Sequence, residues 1–319
     1  MSSAVESSSS KIVLVMLATG KQGTGVVRAL AKINDVSTSD LPWTILAQTR
    51  DISSSKSQAL AALRGVRLVQ GSADAPEALF GAAPGPVYAV YSVQLGLDNP
   101  RGLAGEVEQA KLLADAAATH GVQHFVYAGG NFGGAPDNTQ TYVPHLDTKR
   151  IAEEYLKNTH PTLRTTILRP VTFMDQLVQG DPASVVSRLT KIMFLCQLKP
   201  TTRVQFVAAS DVGAVAALAL QRPEEYVGRV VDVAGDALAP ADLEAGWREV
   251  FGVELRPNML GGSALSWAVR TATKDLRLMF KFFNEIGYNA DVAACREMYP
   301  AMKDWKTFLR TEVEKPVAQ

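Results

Sequence analysis

The chain has 319 residues, 47% of them hydrophobic, with 32 lysines and arginines against 32 aspartates and glutamates. That is the composition of an ordinary globular protein with material for a large core and one or two domains. The even charge balance excludes a broad basic footprint for direct nucleic-acid contact or an anionic membrane surface, and no segment is long and apolar enough to cross a bilayer.

The first ten residues, Met1 to Ser10, are serine-rich and lack the basic and apolar regions of a secretory signal. They read as a disordered leader. Cytoplasm is the expected compartment, with the nucleus fitting a regulatory role. The two cysteines, Cys196 and Cys295, form no disulfide framework and no metal spacing, and read as buried small apolar residues. There is no internal repeat and no metal-type clustering of histidine and cysteine.

Lys11 to Leu30 is the stretch around which the rest is arranged. Ile12 to Met16 is a short, branched, apolar run that predicts a strand buried on both faces. The turn Ala18-Thr19-Gly20-Lys21-Gln22-Gly23 comes next, and Val26, Val27, Leu30 and Ile33 then recur at helical spacing. Strand, glycine turn and helix together present backbone N–H groups to a pyrophosphate at a helix N-terminus. Gly20 lets the backbone approach phosphate, while Gly23 and Gly25 let the helix lie close to the strand. The string fits G-x-G-x-x-G with Ala18 in the first place, or G-x-x-G-x-x-G with Leu17 there, so the first glycine is missing in either reading. A tight turn that binds nothing would need glycine too.

Asn34 to Pro42 reads as loop and Trp43 to Thr49 as the second strand. Arg50 stands just past its end, where a dinucleotide fold meets the adenine ribose. Asp40 is at the right distance for a ribose acid but at the wrong end of the strand. Arg50 with Lys56 suits a 2′-phosphate, hence NADP; the alternative is a solvated basic residue in a polar loop. Ser57 to Leu63 predicts a helix, Val66 to Gln70 a strand, and Asp74-Ala75-Pro76-Glu77 a helix cap, an early proline and a capping-box acid. Val87 to Val93 is the fourth strand, Gln94 to Gly105 a polar loop, Glu106 to Thr119 a helix and Val122 to Ala128 the fifth strand. Strands alternating with helices imply a parallel sheet covered on both faces, with right-handed crossovers.

Gly129 to Val143 is a long glycine-rich loop of the kind that is often functional. In the helix expected over Pro144 to Asn158, His145 and Lys149 share a face. Thr165 to Leu168 is the sixth strand, closed by Arg169-Pro170. Beyond it, Val171 to Pro200 has irregular spacing, Val204 to Val207 is a strand, Asp211 caps a helix over Val212 to Leu220, and Arg229 to Val233 is another strand. Asp242 to Phe251 and Ser263 to Met279 look helical. Phe280, Phe282 and Phe283 read as core packing, with the lining of a substrate pocket as the alternative.

These residues resemble the NmrA-like family, an atypical branch of the short-chain dehydrogenase/reductase superfamily. The resemblance rests on residues 18–23, Thr49-Arg50-Asp51, Gly121-Val122-Gln123-His124-Phe125-Val126-Tyr127, Val143 to Lys149, Ile167 to Met174, Ser210-Asp211-Val212-Gly213 and Phe283 to Tyr288, which together run from about Lys11 to Leu309. It implies a fold of class α/β, a doubly wound parallel sheet of Rossmann type with a smaller, mainly helical C-terminal substrate domain. The NADP(H)-binding part would occupy 11–170, with strands returning from about 203–233, and the interleaved substrate or partner part 171–319, closing a cleft over the nicotinamide end. By the same resemblance Thr19, Gly20, Gln22 and Gly23 would meet the pyrophosphate, Arg50 and Lys56 the 2′-phosphate and Lys149 the nicotinamide ribose, with Pro170 and Phe173 beside the ring. The chain departs from the family at Leu17, usually glycine, and at Ser72, usually aspartate.

Short-chain dehydrogenases typically use Tyr-x-x-x-Lys and a serine after the fifth strand. Here the segment reads His145-Leu146-Asp147-Thr148-Lys149, and Ala128-Gly129-Gly130-Asn131 stands where the serine would be. Lys149 and His145 are the catalytic candidates, with Tyr142 or water as other proton sources. One expectation is an NADPH-dependent oxidoreductase reducing a quinone, enone or aromatic ketone, a small hydrophobic or aromatic substrate. The alternative is a non-catalytic NADP(H) redox sensor acting through a protein partner. A scaffold that has lost the cofactor through Leu17 is the third reading.

Overall fold

A computed structural model of the chain describes residues 10–37, 42–96, 98–134, 139–178, 193–255 and 274–314. The serine-rich leader to residue 9, Asp40 and the first part of the helix expected at 263–279 lie outside the described residues.

Strands and helices alternate from the start: β1 Lys11–Val15, α1 Lys21–Val36, β2 Trp43–Thr49, α2 Ser55–Ala61, β3 Val66–Gln70, α3 Pro76–Gly81, β4 Val87–Ser92, α4 Gly102–Thr119, β5 His124–Ala128, α5 Pro144–Thr159 and β6 Thr165–Pro170. After these come β7 Thr172–Phe173, β8 Val204–Val207, α6 Ala209–Gln221, α7 Pro223–Tyr226, β9 Val230–Val233, β10 Asp236–Leu238, α8 Pro240–Phe251, α9 Lys274–Glu285, α10 Val292–Met298 and α11 Trp305–Glu312. The main sheet has seven strands in the order β3-β2-β1-β4-β5-β6-β9. Its registered pairs are parallel, from Lys11↔Trp43 between β1 and β2 to Ala128↔Leu168 between β5 and β6. The order reverses between β1 and β4, and in an open α/β sheet ligands bind beyond the carboxyl ends of the strands at such a reversal.

The expected doubly wound architecture is present. Val13, Leu14 and Val15 are fully buried, as a strand covered on both faces requires. Helix α1 turns Val26, Val27, Leu30 and Ala31 inward and runs to Val36, past Asn34, where the sequence had suggested loop. Asn34 is buried and ties the helix to the start of β2 and to the turn before β3. Its amide donates to the carbonyls of Trp43 (3.0 Å) and Arg64 (2.9 Å) and accepts from the Trp43 N–H (3.1 Å). The strand expected at 204–207 forms, but in a separate three-stranded sheet ordered β10-β8-β7.

By internal packing the chain divides into two units. One comprises Met1–Ala128, Ile151–Leu168 and Val212–Val230, and the other Gly129–Arg150, Arg169–Asp211 and Val231–Gln319. The second has its own aromatic core. Phe194 lies 5.6 Å from Phe206, 5.3 Å from Phe280 and 5.9 Å from Phe283, centroid to centroid, and Phe282 packs on Tyr288 at 5.5 Å. Each such pair contributes about 0.5–1.5 kcal/mol beyond burial, so the phenylalanines act as core. Cys295 is buried, but Cys196 is exposed, because its helical stretch at 193–197 turns Met193, Phe194 and Leu195 inward instead. Among the described residues no helix is long and apolar enough to cross a membrane, and no cluster of three His, Cys, Asp or Glu side chains could hold a metal.

Candidate active site

The turn leaving β1 is built by its neighbours in the sheet. The Met16 N–H donates to the Tyr91 carbonyl (3.1 Å) and the Ala18 N–H to the Gln48 carbonyl (2.9 Å). The Leu17 N–H donates to Gln48 Oε1 at 2.8 Å, while Gln48 Nε2 donates to the Gly71 carbonyl at 2.6 Å. Leu17 is the one described non-glycine residue with positive φ, at 47°. A left-handed backbone costs an L-residue about 1–2 kcal/mol; the surrounding bonds hold it there. The Leu17 carbonyl then accepts from the Gly20 N–H at 2.8 Å, and Thr24 Oγ1 closes the turn onto the Ala18 carbonyl at 2.9 Å.

What this turn presents is the open end of α1. Gly20 is the cap residue and has no side chain to satisfy the first N–H groups; the first helical bond is Thr24 N–H to the Gly20 carbonyl, 2.8 Å. The first turn contains no acid, so nothing there opposes an anion drawn by the positive end of the helix dipole. Gln22 is oriented by the buried Tyr91, whose hydroxyl donates to Gln22 Oε1 at 3.0 Å. A Cβ on Gly23 would stand 2.3 Å from the Leu17 carbonyl oxygen and 2.8 Å from Ala18 Cα, so Gly23 lets the helix sit against the turn. Gly25 serves a different neighbour than expected: a Cβ on Gly213 in α6 would meet the Gly25 carbonyl carbon at 2.3 Å. Thr19 is half-buried in the turn. These residues fit a pyrophosphate, which needs close backbone approach, the N-terminal end of a helix without a side-chain cap and no competing carboxylate.

Arg50 and Lys56 are both exposed, at the end of β2 and in the first turn of α2. The acid between them is turned onto its own loop: Asp51 Oδ1 accepts from the Ser53 hydroxyl (2.6 Å) and N–H (2.8 Å), which holds its carboxyl below the usual range. Ser72 donates to Asp74 Oδ2 at 2.7 Å, and Asp74 also pairs with Arg101 and Gln109. Asp74 is therefore no helix cap. The cap residue of α3 is Ala75, with Pro76 next, and Glu77 pairs with His120 at 2.8 Å.

The other candidates lie in the second unit. His145 and Lys149 are half-buried, one turn apart on α5. His145 Nδ1 is 2.6 Å from Asp275 Oδ2, and the His145 backbone N–H donates to Asp275 Oδ1 at 3.1 Å. Asp275 is the first-turn acid of α9 and is almost fully buried. The Lys149 stem passes the backbone of Gly130, where an added Cβ would lie 3.9 Å from Lys149 Cγ. Tyr142 faces α9, with Lys281 Nζ 5.0 Å from its ring centre; burial, then the Glu285 charge, raises its phenol above the ordinary value and makes it a poorer acid. The buried Asn131 holds the glycine loop, accepting from the Gly133 N–H (2.9 Å) and donating to Asp232 (2.9 Å). Pro170 is buried and accepts the Asn131 N–H at 3.2 Å, and Phe173 is half-buried in β7, registered against Val207.

The pattern of the NmrA-like family matches residues 9–309. The chain belongs to the NmrA-like family. It is 25% identical over 291 residues to an NmrA-like family domain-containing oxidoreductase, ptmS, of Penicillium ochrochloron, covering 86% of this chain and 84% of that protein. Among solved structures, NmrA, a negative transcriptional regulator in complex with NADP, superposes with a TM-score of 0.65 at 16% identity, over 95% of each chain. The Citrobacter sp. triphenylmethane reductase complexed with NADP(H) gives 0.68 at 17% identity, over 96% of this chain and all of that one. NmrA has also been solved with NAD.

Sequence reasoning missed three members of these assemblies. Gln48 and Tyr91 could have been noticed as polar groups in strands otherwise apolar. Asp275 carries no local signal, since a first-turn acid is ordinary in any helix.

Proposed function

We propose that this NmrA-like protein binds NADP(H) and acts as an NADPH-dependent oxidoreductase on a quinone, enone or aromatic ketone. The observation that carries the reading is the acid-free N-terminus of α1 with no side-chain cap, held behind a strained Leu17 turn, together with the exposed Arg50 just past β2 and Lys56 in the first turn of α2. The turn would hold the pyrophosphate, and the two cations would select the 2′-phosphate over a free hydroxyl. When bound, a reduced nicotinamide supplies the hydride. Lys149 would hold the ribose hydroxyls, with Pro170 and Phe173 beside the ring. His145 would give its proton to the substrate oxygen as charge develops there and regain one from water. The reductase and oxidoreductase among the relatives support this chemistry.

The second reading is an NADP(H) sensor acting through a protein partner. It is favoured by Asn131, which stands in the region of the usual serine and is committed to holding its own loop, and by the regulator among the structural relatives. NADPH oxidation across a panel of quinones, enones and aromatic ketones separates the two. Turnover abolished in Lys149→Ala supports the reductase. A silent panel with proven NADPH binding supports the sensor.

A further inference from the structure

We infer that Asp275 is a positioning residue that fixes the ring of His145 in one tautomer, leaving Nε2 as the atom that exchanges protons; its catalytic consequence rests on the reductase reading above. Two nitrogens of the same residue converge on this carboxylate, the His145 backbone N–H at 3.1 Å and ring Nδ1 at 2.6 Å. An ionised carboxylate only accepts, so Nδ1 must carry hydrogen. The neutral ring then has its lone pair on Nε2. In the charged ring the Nδ1 hydrogen stays with Asp275, and the proton available to leave is the one on Nε2. Donating it to the oxygen of a carbonyl substrate, as hydride reaches the carbon, gives the alcohol and the neutral Nδ1–H ring. For a quinone the same transfer gives a hydroquinone oxygen, and water restores the proton.

Among the described residues, Lys274 and Arg277 of α9 are exposed to solvent, and the other charged groups near the pair have partners of their own. Asp147 accepts the Thr141 N–H at 2.7 Å and lies 3.7 Å from Arg150 Nε. On α9, Lys281 and Glu285 face Tyr142. Lys149 lies one turn along α5 and has its own contacts. Asp275 reaches His145 from 130 residues away and is itself only 9% exposed, while the His145 side chain keeps 27% of its surface open.

Asp275→Asn tests this with little change in shape. Asparagine offers one acceptor oxygen to two donors. The backbone N–H cannot change, so the ring is driven to the other tautomer, with Nδ1 bare and Nε2 protonated. The chain has four histidines, so two-bond ¹⁵N–¹H spectra of the labelled full-length protein can be assigned with His145→Gln. At a pH where the ring is neutral, wild type is expected to show the Nδ1–H form and Asp275→Asn the Nε2–H form, with the backbone amide spectrum otherwise preserved. The same tautomer in both proteins overturns the inference.

A second arm measures NADPH-dependent reduction of 9,10-phenanthrenequinone. The expected result is a kcat fall of roughly 10- to 100-fold in Asp275→Asn, below the roughly 100- to 10,000-fold that a proton-transferring group itself contributes because Asp275 acts through His145, with KM and NADPH affinity nearly unchanged and partial recovery in Asp275→Glu. An unchanged kcat alongside a switched tautomer overturns the catalytic consequence. A tautomer switch in a protein whose wild type never turns over the quinone supports the positioning by Asp275 and counts against the reductase reading, so the two can fail separately.

Discussion

In the turn after β1 the bonds come from the adjoining strands β2 and β4, from the turn itself and from Thr24 at the start of α1. The His145 site is made the opposite way, by an acid 130 residues away on a helix of different sequence character. The first arrangement is a backbone device whose donors belong to the fold, so side chains there act mainly by staying small. The second is a side-chain device that exists only if distant elements dock correctly. Backbone devices should survive many substitutions and fail on added volume; side-chain devices should fail on loss of a single charge.

The largest effect is expected from the long-range electrostatics of the second unit. Asp211 is fully buried and takes both the Lys303 N–H (2.7 Å) and the Lys303 ammonium. It does not cap α6 as its position suggested; Asp175 does, accepting the Ala209 N–H at 2.9 Å. Lys303→Met strands a buried carboxylate and should cost about 3–5 kcal/mol in chemical denaturation. A loss below about 1 kcal/mol, the scale of an exposed pair, would show that the pair is dispensable.

A buried histidine of the first unit comes next. His124 is fully buried on β5, with Nε2 2.8 Å from Thr166 Oγ1. That hydroxyl spends its hydrogen on the Tyr226 carbonyl (2.9 Å), so Nε2 must donate to it. Nδ1 has no partner. Burial first, then the Arg164 charge, lowers the ring to about 4. The unfolded chain therefore takes up this proton before the folded one does as pH falls. Stability contributed by the neutral ring is intact above about pH 6.5 and declines by about 3 kcal/mol toward pH 4. Denaturation at a series of pH values should show this slope in wild type and a flatter one in His124→Gln. Equal slopes would remove His124 as the cause.

Added volume at the turn ranks third. Gly23→Ala puts a methyl into the Leu17 and Ala18 backbone, and should cost about 1–3 kcal/mol and weaken NADPH binding at least tenfold. Retained affinity would mean that the turn yields easily. Smallest, and of opposite sign, is Leu17→Gly. Relief of the left-handed strain, offset by the freedom glycine adds to the unfolded chain, should stabilise by about 0.5–1 kcal/mol, read as a higher urea midpoint with unchanged slope. Destabilisation would show that the Leu17 side chain packs for more than its backbone costs.

The same contrast explains what could be read from the sequence. Residues 11–30 declare a strand, a turn and a helix because their periods and glycines are local, and the alternation from β1 to β6 comes from the same signals. The departure at Leu17 was visible, but not its outcome, which depends on the side chain of Gln48. The start of α4 at Gly102 lay hidden in glycine and proline that read as loop. The phenylalanines at 280–283 read as core, and they are core. Asp275 could not be found locally: its role appears only when α9 brings it to the start of α5.

A phosphate-selective dinucleotide site in the first unit is the central claim. The deciding measurement is a pair of titrations, NADPH and NADH, on wild type and on Arg50→Ala under one set of conditions. At least tenfold tighter binding of NADPH is expected, about 1.4 kcal/mol, with the preference largely lost in the variant while NADH affinity stays the same. Failure of either nucleotide to bind wild type, or an NADPH preference untouched by Arg50→Ala, would contradict it.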